Sequence, residues 1–379
     1  MQILFYISLI LLAGYAALIT YYWMGWLDIP EENLTGARVV STKVTIIIPA
    51  RNEEKNIANC LNALIAQTYP PSHFQVIVIN DHSTDGTEEI IRKMALPNVL
   101  LINLRDHLQE KFTNSYKKRA IELGIRQATG ELILCTDADC VARPGWVESM
   151  VNHQHKTGAV FIAAPVSISG DDSLLGIFQT LDFLPLQGIT AAAVHRKVHS
   201  MSNGANLAYT REAFEKVNGF EGIDEIASGD DMLLMHKMGV AFPGRLSYLK
   251  SKEAIITTRP EPTIKAFMHQ RIRWASKAGK YRDKSINAAL LLVYLVNVAV
   301  GVFMIASLFS PVWLWNLLLL FVIKIFIEFF FVQSIARFYR LGRLMIFFPF
   351  IEPLHVLYTI FAGWLGVFGT YQWKNRKVR

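Results

Sequence analysis

Apolar positions along the chain fall into three regimes. From Met1 to Trp26, and again from Ile286 to Ile323, no charged side chain interrupts the run. Each stretch is long enough for a helix to cross a bilayer core, which takes roughly 20 apolar residues. Between them the pattern changes to short β-branched runs at Val44–Ala50, Phe74–Asn80, Val99–Leu104 and Leu132–Thr136. Stretches with helical spacing, Glu53–Ala66, Thr87–Ala95 and Ser115–Ala128, separate these runs. Val- and Ile-rich strands alternating with helices predict an α/β fold with a mostly parallel sheet covered on both faces. Ligands of such sheets bind beyond the carboxyl ends of the strands.

The expected order is an anchor (1–26), an α/β segment (39–250), a basic and partly apolar interfacial segment (251–285), a membrane region (286–371) and a basic tail (372–379). The anchor is read as retained. It has no Lys or Arg before Arg38, and its apolar run exceeds the roughly 7–15 residues of a signal-peptide core. Two clear spans, about Ile286–Phe309 and Val312–Ser334, turn at Ser310-Pro311. Leu344–Tyr371 contains Pro349, Glu352, Pro353 and His355, and its pattern fits either one span or a re-entrant segment. Lys324 and Glu328 lie one helical turn apart, as an intramembrane pair that neutralises itself or, in the other reading, marks an acceptor path.

Composition sharpens this picture. The chain has 379 residues, is 52% hydrophobic and carries a net charge of +7, with a mean hydropathy of +0.28. The positive charge suits anionic headgroups and phosphorylated substrates. It forms no continuous basic stripe, so nucleic acid is not expected as a partner. Cys60, Cys135 and Cys140 match no zinc spacing, and an odd count argues against a disulfide framework. They read as core residues of a domain facing a reducing compartment. His195 and His199, four apart, are expected to be solvated or to face an acceptor. Asn33-Leu-Thr35 is a sequon expected to carry no glycan.

Five polar clusters follow the apolar runs. The first is Ile48–Glu54 (IPARNEE) and the second Asn80–Thr87 (NDHSTDGT). In the second, Asp85 and Glu88 have the spacing of a capping box, which leaves Asp81 unexplained at a strand end. The third is Thr136–Cys140 (TDADC). On an extended segment its Asp137 and Asp139 would point the same way, and carboxylates so close favour a cation between them. Mg2+ or Mn2+, which bridge carboxylates to phosphates, are the expected ions. The fourth is Ser228–Asp231 (SGDD), in which Asp230 and Asp231 either interact with a helix start or supply a general base. The fifth is Gln270–Trp274 (QRIRW). Its Arg271 and Arg273 suit a diphosphate and Trp274 suits a sugar face, while a basic helix lying on headgroups is the other reading.

These five motifs, in this order and with the small-residue segment Ser202–Tyr209 (SNGANLAY) before the fourth, resemble the family 2 glycosyltransferases. The resemblance is to the membrane-embedded β-glycan synthases with cytoplasmic GT-A domains, and it covers roughly Val44 to Trp274. It implies an inverting transfer, forming a β-linkage, of a hexose or N-acetylhexosamine from a UDP-sugar to a lipid-linked or glycan acceptor. It places the protein in the cell (inner) membrane among membrane lipids. It also implies roles for individual residues. Ala50 and Glu53 line the nucleotide pocket, and Asp81 binds the uracil or ribose. Lys117 or Lys118 approaches the diphosphate. Asp137 and Asp139 bind the metal–nucleotide unit, with Asp139 the direct ligand, and Asp231 is the base beside Asp230. Gln270, Arg271, Arg273 and Trp274 close over diphosphate and acceptor. Long-glycan channels in this group use more membrane segments than the two or three expected after the sheet, which leaves room for a partner subunit or oligomer. A nucleotide-binding scaffold without catalysis and a nucleotidyltransferase are the competing readings.

Overall fold

The structure, a computed structural model, describes residues 2–33, 41–107, 115–168, 171–226, 229–276, 284–368, 371–373 and 376–378. The chain divides into two compact units. A helical unit comprises Met1–Asp28, Gly170–His199 and Pro260–Arg379, and a sheet unit comprises Ile29–Ser169 and Ser200–Arg259.

In the sheet unit the β-branched runs become β1 (Val44–Ala50), β2 (Phe74–Asn80), β3 (Val99–Asn103) and β4 (Leu132–Cys135). They are followed by β5 (Val141–Ala142), β6 (Phe161–Ala163), β7 (Val166–Ile168), β8 (Leu207–Thr210), β9 (Leu246–Tyr248) and β10 (Ile256–Thr258). The main sheet has the order β3-β2-β1-β4-β8-β6-β9. β3, β2, β1 and β4 are parallel, β8 runs antiparallel to both β4 and β6, and β9 is parallel to β6. A smaller sheet pairs β10 with β5 and β7. β10 falls in the segment expected to be interfacial, and it is part of this unit instead.

The helices of this unit are α2 (Ile57–Ile65), α3 (Thr87–Met94), α4 (Tyr116–Arg126), α5 (Trp146–Thr157), α7 (Arg211–Lys216) and α8 (Met232–Ala241). Ile77, Ile79, Ile102 and Leu104 form one core cluster with Ala120 and Leu123 of α4. At Gly130 the loop into β4 passes so close to β1 that a Cβ would lie 2.5 Å from the Thr45 nitrogen, a close approach that only glycine permits. The Gly130 N–H donates to Thr45 Oγ1 there (2.9 Å). The register pairs Ala50 with Asn80 and Ile47 with both Ile77 and Cys135, so the carboxyl ends of β1, β2 and β4 lie side by side.

The helical unit contains α1 (Gln2–Asp28), α6 (Leu174–His195), α9 (Ile264–Ala275), α10 (Lys284–Ala306), α11 (Pro311–Phe338) and α12 (Phe348–Phe368). Five helices, all of these but α9, are long and apolar enough to cross a membrane. The ambiguous C-terminal stretch is a single helix, α12, with Pro353 inside it. Of the basic tail, Lys374, Asn375 and Arg379 lie outside the described residues, as do Leu34 and Thr35 of the sequon.

α6 departs from the expected order, which places residues 174–195 within the α/β segment. Gln179, Asp182 and Gln187 interrupt its apolar pattern, yet all three are buried. Gln179 Nε2 donates to the Glu261 carbonyl (3.0 Å), and its Oε1 accepts from the Glu261 N–H (2.8 Å). Asp182 accepts from Arg271 Nε (2.9 Å) and from the Tyr358 hydroxyl. His355 Nε2 stands 3.5 Å from Asp182 and its Nδ1 3.5 Å from Glu352.

The Lys324–Glu328 pair forms as expected, at 2.6 Å, and is joined by two groups from other helices. Lys324 also pairs with Glu352 of α12, and Tyr15 of α1 donates to Glu328 (2.5 Å). His199 differs from expectation. It is buried, with Nε2 2.8 Å from the Tyr22 hydroxyl and Nδ1 2.7 Å from Ser285 Oγ, while His195 is exposed. Two hydroxyl partners explain why this imidazole can leave water.

Candidate active site

The loops beyond β1 and β2 are stitched to each other. The Asp81 N–H donates to the Ala50 carbonyl (2.8 Å). Arg51 Nη1 donates to the carbonyls of Asp81 (2.9 Å) and His82 (3.2 Å). The Asn52 N–H reaches Ser83 Oγ (3.0 Å), and the Thr84 N–H reaches Asn52 Oδ1 (2.8 Å). The capping box does not form. Asp85 accepts from the Thr87 N–H and from the Glu54 N–H (3.1 Å each), and Glu54 accepts from the Gly86 N–H (3.0 Å). Glu88 instead binds Arg92 and Asn80. Asp85 thus holds both the start of α3, at Thr87, and the loop beyond β1, at Glu54, without Glu88. Ala50 and Glu53 are buried within this stitch, Glu53 accepting from Asn56 Nδ2 (2.8 Å).

Beyond β4, Asp137 and Asp139 lie on a turn that the Cys140 N–H closes onto the Asp137 carbonyl (3.2 Å). The alternation of an extended strand therefore does not apply to them. What gathers the charge is Lys117, in the first turn of α4. Its Nζ donates to Asp137 Oδ1 (2.8 Å) and pairs with Asp230 Oδ2 (3.3 Å). Burial tends to lower the pKa of this ammonium. The charges of Asp137 and Asp230, the hydrogen bond to Asp137 and the charge of Asp231 outweigh that and hold it well above the ordinary lysine value.

Asp231 caps α8, with Oδ1 accepting from the Met232 N–H (2.7 Å) and Oδ2 from the Gly204 N–H (3.0 Å). The third and fourth motifs thus meet around one lysine. Ser228 lies outside the described residues. Lys118, the other lysine expected near a diphosphate, faces elsewhere, with its ammonium donating to the carbonyls of Ile223 (2.5 Å) and Ile226 (2.7 Å).

The donor set here consists of carboxylate oxygens, the hard ligands that Mg2+ and Mn2+ take. Among the described residues no three acidic, histidine or cysteine groups converge as a closed metal cage. Asp137 and Asp139 fit an ion that keeps one or two carboxylates and completes its shell from substrate phosphates, as Mg2+ commonly does. The three thiols are free and buried. Burial pushes Cys135 up to about 12 and also raises Cys60 and Cys140, to which the charges of Asp139 and Asp137 add.

The fifth motif belongs to α9 in the helical unit. Gln270 donates to Glu261 (2.9 Å) and accepts from Arg271. Arg271, expected on a diphosphate or on headgroups, is 4% exposed and paired with Asp182 at 2.7 Å. Its guanidinium also covers Trp274, 4.2 Å from the ring centre, so one face of that ring is taken. Arg273 and Trp274 are both half-buried.

Residues 45–217 match the profile of Glycosyl transferase family 2, and residues 132–365, more than half of the chain, match Glycosyl transferase family group 2. The chain is a family 2 glycosyltransferase. Within that family it has named relatives of several kinds. It is 35% identical over 126 residues to Glycosyltransferase AglE of Haloferax volcanii, covering 33% of this chain and 40% of the relative. It is 27% identical over 244 residues to Probable glycosyltransferase YdaM of Bacillus subtilis, covering 62% and 54%. It is 29% identical over 165 residues to Poly-beta-1,6-N-acetyl-D-glucosamine synthase of Staphylococcus aureus, covering 42% and 36%. The glycosyltransferase thus spans about half or less of the length of these curated relatives. It shares its fold with the mannosyltransferase PcManGT of Pyrobaculum calidifontis, solved in complex with GDP-Man and Mn2+. The TM-score is 0.58 at 19% identity, over 93% of this chain and 99% of that one.

Sequence reasoning named every member of the Lys117 cluster. It passed over Arg51 and His82, which lie inside the first two motifs, and Asp182, whose signal was a lone carboxylate in an apolar run.

Proposed function

We propose that the glycosyltransferase moves a hexose or N-acetylhexosamine from a UDP-sugar to a lipid-linked or glycan acceptor, with inversion, at the cytoplasmic face of the cell membrane. The observation that carries this reading is the Lys117 ammonium bound to both Asp137 and Asp230 with Asp231 beside them. A positive centre suited to a leaving diphosphate, beside a carboxylate suited to an attacking hydroxyl, supports it. The name of the staphylococcal relative supports an N-acetylhexosamine and a β-linkage.

In this reading the stitched loops beyond β1 and β2, with Ala50, Glu53 and Asp81, hold the nucleoside. Asp137 and Asp139 hold a Mg2+ or Mn2+ ion, which when bound supplies charge to neutralise the phosphates. An acceptor hydroxyl attacks the anomeric carbon from the face opposite the diphosphate. The new C–O bond forms as the bond to the diphosphate oxygen breaks, and that oxygen keeps the electron pair. Asp231 takes the hydroxyl proton. Both of its oxygens are oriented by backbone N–H groups, and each retains a further lone pair for the proton. Lys117 stabilises the negative charge growing on the leaving group.

Membranes containing the protein are expected to release UDP from a UDP-sugar in a reaction that chelation stops, with the product identified by mass spectrometry across UDP- and GDP-sugars. Asp231→Asn is expected to lower transfer by ~10²–10⁴, the worth of a general base, with UDP affinity unchanged. Persistent transfer in that variant would remove Asp231 from the role, and turnover of GDP-sugars alone would replace the donor.

A further inference from the structure

His82 is the second residue after β2 and has φ 54°, in the left-handed region that non-glycine residues enter only at a cost. Its neighbours hold it there. Arg51 Nη1 donates to the carbonyls on either side of the strained residue's N–H, those of Asp81 and His82. The Ser83 N–H donates back to Asn80 Oδ1 (3.1 Å). The Tyr116 ring stands edge-on to the imidazole at 5.6 Å. A strained conformation fixed from several sides, at the carboxyl edge of a parallel sheet, is where function is stored.

The imidazole is oriented as well as strained. Its Nδ1 lies 2.9 Å from Asp81 Oδ1. An ionised carboxylate can only accept, so Nδ1 carries the hydrogen and, in the neutral ring, Nε2 carries a lone pair. Nε2 has no hydrogen-bond partner among the described residues. The His82 side chain is 35% exposed while that of Asp81 is 4% exposed, so the imidazole and not the carboxylate is the group offered outward.

We propose that His82 recognises the nucleoside of the donor, with Nε2 accepting a hydrogen bond from a ribose hydroxyl or from the imide N–H of the base. Asp81, counted above among the groups that hold the nucleoside, then does so through His82, as a positioning residue that sets the tautomer. This rests on the reading of the stitched loops as the nucleotide pocket.

The test is calorimetry on the full chain in detergent with Mn2+, using UDP, GDP, 2′,3′-dideoxyuridine diphosphate and inorganic pyrophosphate. His82→Gly removes the imidazole and relieves the backbone, so it should unfold at no lower temperature than the natural protein. It should bind UDP about tenfold more weakly, the scale of one hydrogen bond, and bind pyrophosphate unchanged. His82→Gln, which places a side-chain acceptor at similar reach, should recover part of the UDP affinity. A loss shared by UDP and GDP but absent with the dideoxy compound assigns the bond to the ribose, and a loss confined to uridine compounds assigns it to the base. If His82→Gly binds UDP as well as the natural protein does, or loses UDP and pyrophosphate equally, the proposal fails and the nucleotide pocket stands. If the natural protein prefers no nucleoside diphosphate over pyrophosphate, the pocket reading fails with it.

Discussion

Gly204 marks how closely the charged groups of the sheet unit approach one another. A Cβ at this position would lie 3.1 Å from Lys117 Nζ, 3.3 Å from Asp230 Oδ2 and 3.7 Å from Asp231 Oδ2. Gly204→Ala must therefore displace the ammonium or the Asp230 carboxylate by a few tenths of an ångström. A full ångström of misplacement costs about 10²-fold, so transfer is expected to fall roughly tenfold while the unfolding temperature holds. Product formation and thermal unfolding check the two halves, and unchanged transfer would show that the cluster has slack. Lys117 and Lys118 illustrate what the sequence holds at this scale. Adjacent residues on a helix point about 100° apart, so at most one can face the carboxylates. Which one depends on how α4 lies across the strands, and that is set by Ala120 and Leu123 packing on Ile77 and Ile79. The motif was legible and the orientation was not.

Among elements, the strands and their polar ends were legible because β-branched runs record burial on both faces. α6 was not, because the partners of its polar residues come from distant parts of the chain: Asp182 is held by Arg271 of α9 and Tyr358 of α12, and Gln179 by the backbone of Glu261 ahead of α9. The same division runs through the lysine of α11. Glu328 is visible as its partner one turn away, whereas Glu352 arrives from α12 and Tyr15 reaches Glu328 from α1. Lys324 is 0% exposed, so Lys324→Met strands two buried carboxylates. Removing one partner of a buried ion pair costs about 3–5 kcal/mol. A correspondingly lower unfolding temperature in detergent is expected, with part of it recovered when Glu328→Gln is added. An unchanged unfolding temperature would mean that water reaches these groups.

For the whole molecule, the expected order of anchor, domain and membrane region is interleaved, since the helical unit takes its residues from three separate stretches. Linear patterning shows where the chain is apolar but not where it returns to an earlier unit. α10 and α11 nevertheless form a clear pair, joined near Ser310 and followed by Arg337, Arg340 and Arg343. Clustered arginines next to a span favour the cytoplasm, and on that rule the turn at Ser310 is expected outside. A maleimide that cannot enter cells is expected to label Ser310→Cys in intact cells and to label Gly342→Cys only after permeabilisation, and the reverse pattern would invert the protein. The burial of Cys60, Cys135 and Cys140 bears on how simply this can be done. Thiolate is the reacting form, and three thiols that are both shielded and reluctant to ionise are expected to contribute little background, which labelling of the natural chain checks. Each engineered cysteine then reports alone, so topology mapping can begin from the natural chain without first building a cysteine-free parent.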